Sequence, residues 1–170
     1  MLAGSAAAEP IAVRAAGGVG AMNETTWAAP EVDLVATFAI RSGFAQLAVG
    51  YSSIDNHTFL ADGRSIRAAI AGGTQLGPVR AALVFELAFV AYHADPDVLA
   101  EHPGVDILVR RGGFLPSAGF ELAYPIGAST RIGVFARFGL RELTLFDTPT
   151  GDRGRARLVL AGPFLELAIR

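Results

Sequence analysis

The sequence predicts an all-β fold, an eight-stranded antiparallel up-and-down β-barrel, and three observations carry that prediction. The first is the run Val79 to Tyr92, in which every second residue from Val79 to Ala91 is apolar. The other parity carries Arg80 and Glu86, and such alternation is the mark of a strand with two distinct faces. At ~3.3 Å per residue the run is roughly 45 Å long, far beyond the common strand of about five or six residues. The second is composition: 52% hydrophobic and 18% charged residues, yet no uncharged run of the ~18 residues that a membrane-spanning helix needs. The third is rhythm, because eight alternating segments follow one another with short and longer connections in turn. Together these predict a barrel that spans a membrane with strands.

Taken in order, residues 1–9 read as a signal-peptide remnant or a flexible tail, with Ala6 and Ala8 at a small-residue cleavage pattern. The barrel domain then occupies 10–170. Ile11 to Met22 is a first strand weakened by glycines, and Asn23 to Pro30 is a polar connection holding Trp27. Glu31 to Arg41 and Phe44 to Ser53 form a hairpin about Ser42-Gly43. Asp55 to Arg64 is a loop, Ser65 to Gln75 the fourth strand, Leu76-Gly77-Pro78 a turn, and Val79 to Tyr92 the fifth strand. His93 to Gly113 is the longest connection, with a short alternating run at Val105 to Val109. Phe114 to Tyr124 is the sixth strand, with an irregular start at Pro116. The seventh begins at Arg131 and breaks parity at Glu142, where a bulge is expected. Arg155 to Ile169 is the eighth, with a second bulge expected at Gly162-Pro163. The longer connections follow the first, third, fifth and seventh strands, which places both termini on the side of the short turns.

Period alone does not say which face looks outward. In a lipid-embedded barrel the apolar face is outside, making Leu34, Phe38, Leu47, Phe85, Leu87, Phe89, Phe120 and Phe138 lipid-facing. The lumen then holds a network of Arg14, Asp33, Arg67, Arg80, Glu86, Glu121, Arg137, Arg141 and Arg157. With Arg41 and Glu166 added, seven arginines face four acids, an excess that predicts mild anion preference in any leak. A soluble lipocalin-like barrel inverts the faces and binds a small hydrophobic ligand. The sparse charges of both signs among Ala and Gly suit a narrow packed interior better than a wet surface. Aromatic girdles are expected from Trp27, Tyr51, Phe59, Tyr92, Phe114 and Phe146 at one rim and Phe44, Tyr124 and Phe164 at the other.

From Ile11 to Ile169 the chain resembles the eight-stranded bacterial outer-membrane proteins typified by the OmpA transmembrane domain and OmpX-like proteins. The resemblance is one of architecture, and the ending Leu165-Glu166-Leu167-Ala168-Ile169-Arg170 departs from the terminal aromatic common in that family. It implies a monomer in the bacterial outer membrane, with lipid as partner and outer loops free to meet another molecule. The soluble alternative lacks its own signature, since Trp27 follows Glu24-Thr25-Thr26 rather than a Gly-x pair.

Little in the chain suggests chemistry. His57, His93 and His102 lie near Asp55, Asp95, Asp97, Glu101 and Asp106, without the spacing of an established metal site. A lipid-modifying enzyme would have to draw on His57 with Thr58 and Asp55, or on His93 with Asp95. The expectation is therefore no catalysis, no metal and no cofactor. There is no cysteine, and net charge is -2 with all 14 basic residues arginine and scattered, which gives no electrostatic footprint for nucleic acid. The expected role is structural, adhesive or that of a narrow pore.

Overall fold

The structure, a computed structural model, describes residues 11–22, 25–41, 43–54, 61–94, 108–109, 113–147 and 153–169. These form nine strands: β1 (Ala12–Met22), β2 (Thr25–Ile40), β3 (Gly43–Ile54), β4 (Ala61–Leu76), β5 (Val79–Ala94), β6 (Leu108–Val109), β7 (Gly113–Pro125), β8 (Thr130–Asp147) and β9 (Arg153–Ala168). Eight make the wall. Each pairs antiparallel with the next, β5 with β7, and β9 closes the circle by pairing with both β8 and β1. The two-residue β6, within the run expected to alternate at Val105 to Val109, is an extra that pairs with the far end of β8 at Phe146 and Asp147. Closure leaves the wall without an open edge, the arrangement a sheet needs where water cannot satisfy its backbone.

The turns follow from local chemistry. Gly77, at φ 60°, supplies the left-handed residue between β4 and β5, ahead of Pro78. Arg41, at φ 36°, reverses the chain between β2 and β3. Between β7 and β8, Ile126 N–H and Gly127 N–H both donate to the Thr130 carbonyl, at 3.0 and 3.3 Å.

Two expectations need correction, and one is met. The polar connection Asn23 to Pro30 is largely strand: β2 starts at Thr25 and runs in register with β1 from Met22↔Thr25 to Ala12↔Val35. Pro30 pairs with Gly17 on β1 and lies one residue before the register with β3 begins at Glu31↔Ser52, so its missing N–H breaks no rung there, and the first connection is not one of the longer ones. The bulge expected in β8 is present, with a register shift against β9 between Phe138 and Glu142. The one expected at Gly162-Pro163 is absent. β9 keeps one register against β8 from Leu167 to Val159, and Leu158, Leu160, Phe164 and Glu166 all lie inside.

The faces are sorted as in a barrel surrounded by an apolar medium. On β5, Phe85 and Leu87 are 46% and 45% exposed while Glu86 between them is 6% exposed. Leu34, Phe38, Leu47, Phe89, Phe120 and Phe138 are likewise exposed on the outer wall. The charged side chains fill the interior, the reverse of a soluble ligand-binding barrel. Inside the wall, Ala29, Ala88, Val90, Leu115, Ala123, Phe135, Leu158, Leu160 and Phe164 form an apolar cluster, of which Ala29, Val90, Leu115 and Leu158 stand on the loop side of the charges.

Candidate functional site

The site is a lattice of buried charges, built where inward parity on neighbouring strands meets in register. One row across the wall reads Glu166 on β9, Arg14 on β1, Asp33 on β2, Gly50 on β3 and Arg67 on β4, each directly opposite the next. Gly50 is the gap in the row. A side chain there would collide with the Asp33 carboxylate, and without one Arg67 reaches across β3 to Asp33. The contact is bidentate, Nε donating to Oδ1 at 2.9 Å and Nη2 to Oδ2 at 2.6 Å, the geometry in which a guanidinium fork binds a carboxylate best.

From this row the pairing spreads across the lumen. Arg67 Nη1 lies 2.5 Å from Glu31 Oε2, and Arg137 Nη1 donates to the same oxygen at 2.8 Å. Arg14 Nη1 donates to both oxygens of Glu121 at 2.8 Å, and its Nη2 to Glu166 at 2.8 Å. Glu86 is held more loosely, 3.3 Å from Arg137 and 3.5 Å from Arg67, with Ser117 Oγ donating to it at 3.4 Å. Nearer the short turns, Arg131 and Arg80 approach the remaining oxygen of Glu166 at 3.3 and 3.5 Å. Three arginines also lie on rings inside the barrel: Arg14 over Phe164, Arg80 over Phe44 and Arg137 over Phe135, at 4.5, 4.4 and 4.5 Å. A ring thus covers one face of each guanidinium, while Arg14 and Arg137 donate to carboxylates from their edges, so the charge is desolvated yet paired.

A buried charge left alone costs several kcal/mol, and mutual pairing is what offsets that cost. The lattice accomplishes this among buried residues: four arginines (Arg14, Arg67, Arg80, Arg137) against five acids (Glu31, Asp33, Glu86, Glu121, Glu166). At its centre is a cavity of about 10 Å³ lined by Arg14, Asp33, Arg67, Glu86, Glu121 and Arg137, among others. That is space for about one water.

Of the residues expected in the lumen, the structure brings together Arg14, Asp33, Arg67, Arg80, Glu86, Glu121 and Arg137. Arg141 and Arg157 lie outside the lattice. Arg141 is exposed in the bulge of β8. The Arg157 side chain is 67% exposed and stands 4.0 Å from Glu142, because β9 lacks the bulge that would have turned it inward. Arg41, in its turn, is exposed as well. The expected excess of positive charge is therefore gone. Glu31, absent from the expected network, is its main bridge, and its parity with Asp33 was the available signal. Phe44 and Phe164, expected in a girdle, are interior stacking partners, whereas Tyr51, Phe114 and Tyr124 are exposed on the outer wall. His57 and His102, residues 1–9 and the side chains of His93, Trp27, Phe59, Tyr92 and Phe146 lie outside the described residues.

Wall and lattice define an eight-stranded up-and-down barrel with a polar, packed interior, the class that the sequence resembled. One solved structure agrees on the fold, and two more are similar to a lesser degree. Neisserial surface protein A superposes with a TM-score of 0.52 at 12% identity, over 94% of this chain and 96% of that one. The N-terminal β-barrel domain of Pseudomonas aeruginosa OprF gives 0.47 at 11%, over 95% and 100%. The outer membrane protein OprG from Pseudomonas aeruginosa gives 0.49 at 6%, over 96% and 99%. No family model matches the chain, and no curated protein matches it.

Proposed function

We propose that the chain is a monomeric bacterial outer-membrane protein whose barrel is a closed scaffold presenting its loops at the surface. The observation that carries this is the polarity of the wall, with Phe85 and Leu87 out and Glu86 in, which only an apolar surrounding stabilises. The likeness in fold to a neisserial surface protein supports the same compartment. Of the structural, adhesive and narrow-pore roles, the structural one is favoured. The lattice closes on itself around space for about one water, and part of the apolar cluster lies on its loop side. In this reading the barrel performs no catalysis, lipid is its standing partner, and any further partner meets the loops. Cell fractionation tests the compartment: the chain is expected with the outer membrane, running faster on gels before heating than after. Planar-bilayer recording tests the closed lumen, and steady conductance steps from the unmodified chain would overturn it.

A further inference from the structure

Two strands on opposite sides of the wall, β4 and β9, share a spacing along their outer faces. On β4 the outward positions Leu76, Thr74, Gly72, Ile70, Ala68 and Ile66 are uncharged, and the next is Arg64, exposed. On β9 and the residue that follows it they are Ile169, Leu167, Leu165, Pro163, Ala161 and Val159, and the next is Arg157, also exposed. Each uncharged run covers ten residue steps. At ~3.3 Å per residue and a strand tilt near 40°, that is about 25 Å along the barrel axis, the height of the apolar band of an outer-membrane barrel. Both arginines therefore stand one step beyond the hydrocarbon, at the depth of lipid headgroups on the loop side. Glu142 on β8 faces Arg157. Arg64 and Arg141 make no ion pair among the described residues.

We propose that Arg64 and Arg157 bind the phosphates of anionic lipid headgroups in the leaflet on the loop side. The inference rests on the membrane reading above. A guanidinium suits the task because its planar fork donates two parallel hydrogen bonds to a phosphate, and its stem can lie along the apolar wall. Glu142, 4.0 Å from Arg157, competes with the phosphate for that guanidinium, which leaves Arg64 the less encumbered of the two.

The test uses the full chain refolded into phosphatidylcholine vesicles containing a trace of spin-labelled phosphatidic acid or, in parallel, spin-labelled phosphatidylcholine. The unmodified barrel is expected to immobilise phosphatidic acid several-fold more than phosphatidylcholine, and the preference to fall as salt rises. The pair Arg64→Gln with Arg157→Gln should lose most of it, Arg64→Lys with Arg157→Lys should keep part, and Arg41→Gln at the opposite rim should keep all. Equal immobilisation of both lipids by an inserted barrel overturns the headgroup site alone. Failure to insert into the vesicles overturns the membrane reading and the site with it.

Discussion

Arg67 on β4 grips Asp33 on β2 at 2.6 Å across an intervening strand, and it does so through the space left by Gly50. The glycine is required for close approach and not for a turn. An added methyl would overlap the Asp33 carboxylate and push it from the guanidinium. Gly50→Ala is therefore expected to destabilise the barrel by about 2–4 kcal/mol, near the cost of breaking a buried ion pair. Gly17→Ala and Gly72→Ala, where nothing lies within 4 Å of the new atom, should stay within about 0.5 kcal/mol. Urea unfolding of the lipid-reconstituted chain, followed by tryptophan fluorescence or gel mobility, checks the contrast.

The five acids of the lattice are not held equally. Glu31 lies within 2.8 Å of two guanidiniums, whereas Glu86 comes no closer than 3.3 Å to either of its own. Glu86 also shares those guanidiniums with Glu31, so removing its charge relieves a like-charge contact. Glu86→Gln, of equal size, should change stability by less than about 1 kcal/mol, while Glu31→Gln should cost about 3 kcal/mol or more. Similar losses in the two variants, measured by the same unfolding experiment, would contradict the geometry.

The wall was legible in the sequence because a strand pattern is local. Val79 to Tyr92 declares its two faces without reference to anything else, and β5 follows it closely. What failed had non-local causes. Asn23 to Pro30 read as a polar connection, yet the strand runs through it because β1 supplies a partner as far as Met22↔Thr25. Arg157 and Glu166 have opposite parity, so a reading that sends every charge inward needs a bulge between them. The structure instead makes the inner face apolar at Leu158 and Leu160, and parity is kept. The composition of the lumen changes along the barrel axis, and alternation cannot reveal that. Nor can it reveal partners such as Arg14 and Glu121, which are 107 residues apart and meet only once register and closure are set.

The balance of the lattice fixes the sign of any leak. The sequence tally of seven arginines and four acids counted Arg41, Arg141 and Arg157, all of which are exposed, and it omitted Glu31. Four buried arginines and the half-buried Arg131 stand against five buried acids, so the lattice is balanced and the expected anion preference disappears. Arg137→Ala removes a cation that touches Glu31, Glu86 and Glu121. It should open a small conductance favouring cations severalfold, where the unmodified chain shows none. Reversal potentials under a salt gradient across a planar bilayer read the sign directly.

The outer wall allows a test that depends on depth. Phe85 lies near the middle of β5, with Val79 at one end and Ala94 at the other, which places it near the bilayer midplane in the membrane reading. Tyr124, next to the last residue of β7, lies near the rim. An arginine facing lipid costs about 2–4 kcal/mol at the midplane and about 0–1 near an interface. Phe85→Arg should therefore destabilise the reconstituted barrel by about 2–4 kcal/mol, and Tyr124→Arg by no more than about 1. In a water-filled surrounding the ranking would vanish, since both side chains are about half exposed and a surface arginine is cheap at either place. Unfolding both variants in lipid vesicles thus reports on whether the surrounding of the wall is hydrocarbon. Equal, small effects would count against the membrane reading without questioning the barrel itself.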